Sequence, residues 1–119
     1  MVLEGKWSWV DISENIPISD VYRYPYEKWD RTGLSLNKDI SIDIIHNLVL
    51  PNTTNDWDWY WISENIEVLD VYKHPYETWD RYGLSCNKDL SIDDIYRLDL
   101  RMRYDYRQYT ISFSDITII

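Results

Sequence analysis

The sequence predicts an all-α fold of tandem short helical hairpins, about four to five units of 22–28 residues stacked as a small solenoid. Three observations predict it: a gapless internal duplication, a shorter repeat nested in each half, and apolar residues at helical spacing behind Ser residues suited to capping. Repeats of roughly 20–50 residues mark supersecondary units that cannot bury their apolar faces alone and therefore stack.

Shifted by 50 positions, the chain aligns with itself without a gap, and 24 of the 34 residues from 12 to 45 are identical to those from 62 to 95. Ile12-Ser13-Glu14-Asn15-Ile16 meets Ile62-Ser63-Glu64-Asn65-Ile66, and Trp29-Asp30-Arg31 meets Trp79-Asp80-Arg81. Each half divides again, because Ile12-Ser13-x-Asn15 recurs 22 residues later as Leu34-Ser35-x-Asn37, each preceded by a Trp, Trp7 or Trp29. The units are then 7–28, 29–56, 57–78 and 79–100, with a degenerate cap over 101–119 in which Tyr104-Asp105-Tyr106 replaces the Trp motif. With 119 residues these units form one domain, since a single hydrophobic core is commonest at about 100–150 residues.

Two short helices are expected in each unit. In the second, Ser41 precedes Ile42, Ile45 and Leu48, and Ser91 precedes Ile92, Ile95 and Leu98 in the same register. A Ser hydroxyl accepts from an orphan N–H of the first turn, and Asp43 or Asp93 in that turn suits the helix dipole. In the first, Trp59, Ile62 and Ile66 share one face at i, i+3, i+7. The repeated core is expected to comprise Trp29, Leu34 and Ile45 in one half and Trp79, Leu84 and Ile95 in the other. A competing reading is α+β with a C-terminal β-hairpin: Met102, Tyr104 and Tyr106 alternate with charged residues, Ile and Tyr favour strands, and Ala is absent.

Composition narrows the function classes. A formal charge of −9 with no basic run excludes direct nucleic-acid binding, because backbone recognition rests on Lys and Arg. No stretch approaches the ~20 apolar residues of a membrane span, and the first ten residues lack a continuous apolar core of a leader. A cytoplasmic chain starting at Met1 is expected. The single cysteine, Cys86, aligns with Leu36 and is expected to pack as a small hydrophobe.

Catalytic, metal and cofactor sites are not expected. His46 aligns with Tyr96 and His74 with Tyr24, so neither histidine belongs to a duplicated site, and Gly-rich loops, HExxH, GxSxG and CxxC are absent. Asn37-x-Asp39-x-Ser41-x-Asp43 has the alternating oxygens of a calcium loop. It places Ile42 where the turn needs Gly and Leu48 where a bidentate Glu belongs, so it reads as a turn and N-cap. Trp29-Asp30-Arg31 and its copy read as seam filling, with Asp and Arg pairing with each other or with neighbouring backbone.

The pattern of Trp-Asp followed by Leu-Ser-x-Asn and then Ile-Ser-x-Asp, closest over 29–45 and 79–95, resembles the short Trp- and Asn-rich tandem repeats of uncharacterised proteins from giant DNA viruses. It departs at Asn37-Lys38-Asp39, where that pattern has Asn-Pro. The resemblance implies a viral source, in host cytoplasm or virion, and a helical solenoid, without an activity.

In stacked repeats the shared residues build the seams and the divergent ones are free to specialise. The divergent pairs Tyr24/His74, Thr32/Tyr82 and His46/Tyr96, with Arg97 for Asn47, point to a partner-binding face made by Tyr24, His74, Thr32, Tyr82, Tyr96 and Arg97. The expected function is a non-enzymatic module that binds another protein and can self-associate. The rivals are an acidic nucleic-acid mimic and a structural component of a particle.

Overall fold

The computed structural model describes residues 5–106, with side-chain surroundings through Met102, and every regular element among the described residues is helical. The helices are α1 (Trp9–Asn15), α2 (Ile18–Arg23), α3 (Arg31–Ser35), α4 (Ile42–Asn47), α5 (Trp59–Asn65), α6 (Val68–Lys73), α7 (Arg81–Ser85) and α8 (Ile92–Tyr106). Two helices fall in each unit, as the spacing predicts. No helix among the described residues is long and apolar enough to cross a membrane.

Local chemistry explains the starts. Ser8, Asp30, Asp58 and Asp80 cap the first helix of each unit, each accepting from a first-turn N–H with its side-chain oxygen. Ser41 caps α4 through the N–H of Ile44, and Ser91 Oγ accepts from Asp94 N–H at the start of α8. Asp58 takes two donors, Tyr60 and Trp61, so three consecutive aromatic residues are held in helix against their weak propensity.

One end departs from expectation. Residues 101–106 continue α8, which crosses the expected unit boundary at 100, so the alternation of Met102, Tyr104 and Tyr106 is not a strand. In the first half Leu48 ends α4 and Pro51 follows, whereas Arg101 stands in the place of Pro51 and keeps the N–H that helix continuation needs. Residues 107–119, the rest of the expected hairpin or cap, lie outside the described residues.

Two apolar clusters form the core. Ile18, Val21, Trp29, Leu34, Leu48 and Leu50 make one, and residues from α4 to α8, among them Ile42, Ile45, Ile62, Val71, Leu84 and Leu98, make the other. Ile44 and Trp57 pack against both clusters and join them. Of the expected core, Trp29, Leu34, Ile45 and Leu84 are buried and Trp79 packs half-buried against the second cluster. Ile95 is 44% exposed where Ile45 is 9%, because Ile45 is packed against the helices of the following half while no further unit follows Ile95 among the described residues. Cys86 is exposed rather than packed: it is the C-cap of α7, its Sγ 3.7 Å from Tyr60 Oη.

The first helices of successive units pack on one another, α1 on α3, α3 on α5 and α5 on α7. Inside each half glycine sets the distance. A Cβ on Gly33 would lie 2.3 Å from the carbonyl oxygen of Val10, and one on Gly83 would lie 2.4 Å from that of Tyr60. The shared Ser and Asn then close every seam. Ser13 Oγ accepts from Asp30 N–H at 2.9 Å, Ser35 Oγ from Asp58 N–H at 3.0 Å, and Ser63 Oγ from Asp80 N–H at 2.9 Å. Asn37 donates to the carbonyls of Ser13 and Ile16, Asn87 to those of Ser63 and Ile66, and Asn65 to that of Asn37. The motif that identifies the repeat is thus a set of hydrogen bonds from one unit to the last.

Candidate functional site

The residues with catalytic or metal-like spacing are engaged in the seams. Asn37 Oδ1 accepts from Asp39 N–H, its amide holds two carbonyls of the previous unit, and Ser41 caps α4, so the calcium-like run is a turn leading into a helix. No group of three His, Cys, Asp or Glu side chains among the described residues has metal-holding geometry. Trp29 donates its indole N–H to the Tyr24 carbonyl at 2.7 Å and stacks edge-on against Trp9; Trp79 repeats both contacts with His74 and Trp59. Arg31 donates to the carbonyls of Thr53 and Asn55 and lies over the Trp57 ring, bracing the 50–57 connection instead of clamping a ligand or pairing with Asp30.

The expected partner-binding residues differ in exposure. Tyr82 is the most exposed at 82%, with Tyr96 and Arg97 exposed on α8 and Tyr24 exposed beneath the Arg23 guanidinium. Thr32 is half-buried and accepts from the Asn55 amide, which ties it to the connection. His74 is half-buried and is drawn to the seam between halves.

That seam gathers groups that sequence reasoning treats one by one. His46 Nε2 lies 2.6 Å from Glu77 Oε1, and the His46 and His74 rings meet edge-on with centroids 6.2 Å apart. The signal in the sequence is a paired exchange: the two positions that meet across the seam are both His, and their counterparts, Tyr24 and Tyr96, are both Tyr. Tyr72, on α6, donates to Asp94 of α8 at 2.7 Å. Burial first and Asp94 second push the Tyr72 phenol above its ordinary value, while the Ser91 N–H first and the Tyr72 hydroxyl second hold Asp94 below the usual carboxylate range. Both are structural contacts.

Surface depressions among the described residues include two of similar size. One of ≈ 340 Å³ runs between the α2 end and the α4 end, lined by Tyr22, Pro25, Tyr26, Val49 and Pro51, with Tyr22, Tyr26 and Val49 exposed. Its counterpart in the second half carries Arg97, Asp99 and Arg101 where the first has Asn47, Val49 and Pro51, so the apolar version exists once. The other, ≈ 350 Å³, is lined by Leu36, Trp61, Glu64, Cys86 and Lys88; Glu64 Oε2 is buried without a hydrogen-bond partner among the described residues. Cys86 there meets the Tyr60 hydroxyl, which it raises above its ordinary value.

No family model, curated protein or solved structure matches the chain.

Proposed function

We propose that the chain is a non-enzymatic repeat module, its units stacked as a small solenoid, that binds another protein through its exposed tyrosine-bearing flank. A viral partner, and a place in host cytoplasm or virion, follow from the resemblance of the repeats. One observation carries the reading: the Ser and Asn that join one unit to the next are buried in the seams inside the chain, while tyrosines, the duplicated Tyr26 and Tyr76 among them, lie open on the surface. Ser13, Ser35, Ser63, Asn37 and Asn87 are buried, whereas Tyr22, Tyr24, Tyr26, Tyr76, Tyr82 and Tyr96 are exposed. Exposed tyrosines supply large amphipathic contact area at small entropic cost, and apolar grooves rimmed by polar groups are where proteins dock. The groove of Tyr22, Tyr26 and Val49 gathers exposed side chains of this kind.

The acidic-mimic alternative has less to support it, since Asp30, Asp58, Asp70, Asp80 and Asp94 accept from N–H groups of their own chain. Capture from infected-cell lysate by the wild-type chain and by Tyr26→Ser with Val49→Asp separates the readings. A partner retained at high salt by the wild type and lost by the double variant is expected. Equal capture by both overturns the groove, and recovery of basic proteins released together by salt favours the mimic.

A further inference from the structure

We propose that copies of this chain stack head to tail, the α1–α2 face of one copy seating on the α7–α8 face of the next through the same junction that joins the two halves within one chain. This goes beyond the groove of Tyr22, Tyr26 and Val49; the flank residues Tyr24 and Tyr96 are common to both readings, but the groove variant and the end-face variants change different residues, so either can fail alone.

The internal junction is made by α3 and α4 on one side and α5 and α6 on the other. Ser35 Oγ accepts from Asp58 N–H, Asn65 donates to the Asn37 carbonyl, and an Asp70 carboxylate oxygen accepts from Ile42 N–H at 3.1 Å. Arg31 lies over Trp57, 5.8 Å from the ring centroid, and His46 meets His74. At the two ends of the chain the same groups recur. The α7–α8 face keeps Arg81, Ser85, Asn87 and Ile92, and the α1–α2 face keeps Trp7, Asn15 and Asp20.

Their surroundings differ in the way an uncovered junction requires. Ile92 is 67% exposed where Ile42 is fully buried, and Trp7 is 60% exposed where Trp57 packs against both apolar clusters. Among the described residues no N–H donates to Ser85 Oγ, and Asn15 donates back to Asp11 of its own helix where Asn65 reaches across the seam. The histidine pair changes as a pair: Tyr96 stands for His46 and Tyr24 for His74, so the edge-on contact of two imidazoles becomes one of two phenols between copies. Three features differ in kind: Asp11 stands for Trp61, α8 runs on to Tyr106 where the first half turns into the connection that Arg31 braces, and one core position changes. Asp94 replaces Ile44, and its carboxylate is already satisfied by Tyr72 Oη and Ser91 N–H.

Because the two faces are unlike, the contact is heterologous, and it propagates into an open assembly or closes into a ring. That property supplies the test. Sedimentation velocity of the full chain from micromolar to millimolar concentration is expected to show species growing beyond a dimer. Ile92→Asp on one face and Trp7→Asp on the other should each remove it, raising the dissociation constant by about a hundredfold or more by placing a charge in the contact. An equimolar mixture of the two variants should form a one-to-one dimer and stop there, since each retains the face the other lacks. Tyr96→Asp serves as a second variant of the α7–α8 face should Ile92→Asp change the circular dichroism. A wild-type chain monomeric across the range overturns the proposal. A dimer that either variant abolishes and mixing does not restore overturns it as well, because that is the behaviour of a two-fold contact.

Discussion

Gly33→Ala tests the closest approach in the fold. The added Cβ would sit 2.3 Å from Val10 O and 2.8 Å from Ser13 Cβ, below the 3.0 Å that real Cβ atoms respect. The first obstacle is backbone, so α1 and α3 must separate by at least about 0.7 Å. Overpacking of that kind costs about 1–3 kcal/mol. Separation also stretches the Ser13–Asp30 and Asn37–Ser13 bonds, each worth about 1 kcal/mol net. Ala returns about 1 kcal/mol of helix propensity, leaving a net loss of roughly 2–4 kcal/mol from a total of about 5–15 kcal/mol. Urea unfolding followed by tryptophan fluorescence should show the midpoint fall by about 1–2 M, given an m-value near 2 kcal/mol/M. Gly83→Ala, facing Tyr60 O at 2.4 Å, should behave alike. A midpoint unchanged or raised in both variants would mean that the helices are not held at this distance and that glycine was there for another reason.

Three further outcomes follow from the seams. Asn37→Ala leaves two buried carbonyls unpaired and should cost about 2–3 kcal/mol, whereas Asn15→Ala, exposed and bonded within its own helix, should stay within about 0.5 kcal/mol in the same urea titration. Trp29→Phe removes the donor to the Tyr24 carbonyl and should cost about 1–3 kcal/mol, read by thermal melting with circular dichroism. Asp94, held below its unfolded value, contributes stability fully present above that value and lost as pH falls through the folded one. Tyr72, raised, contributes below the ordinary phenol range and loses its contribution as pH rises through the folded value. Melting temperature against pH should accordingly flatten at the acid end in Asp94→Asn and at the alkaline end in Tyr72→Phe.

The duplication, the two helices per unit and the capping roles of Ser41 and Ser91 were legible because each is local: a spacing, an N-cap, an apolar stripe. The roles of Ser13 and Asn37 were not, since their partners lie 17 to 24 residues away and only packing brings them close. The helical course of 101–106 was hidden by side chains that alternate in polarity, and the deciding feature was the absence of Pro51's counterpart. The seam cluster of His46, His74 and Glu77 escaped for the opposite reason. Alignment compares like positions, and these three are unlike positions from different units.

The effective building block is the pair of units, not the single one. At the position where Gly33 and Gly83 let their helices meet the preceding helix, α5 carries Trp61 and α1 carries Asp11. With Trp61 in place of glycine, α5 packs less extensively on α3 than α3 does on α1, and other groups add to that seam. They do so from the connection: Arg31 bonds to Thr53 and Asn55, Thr53 Oγ1 donates to the Trp29 carbonyl, and Asn55 reaches Thr32. The first half is therefore joined to the second by a strap of polar bonds over a bridge of Ile44 and Trp57, while each half is closed internally by glycine contact. Arg31→Ala should loosen the strap without touching either glycine seam. Amide hydrogen exchange should then show protection lost first in α5 and α6, at the junction, and retained in the α1–α3 pair. Uniform loss across α1 to α8 would mean that the halves do not fold as separate pairs, and the glycine seams would have to be read as part of one continuous stack.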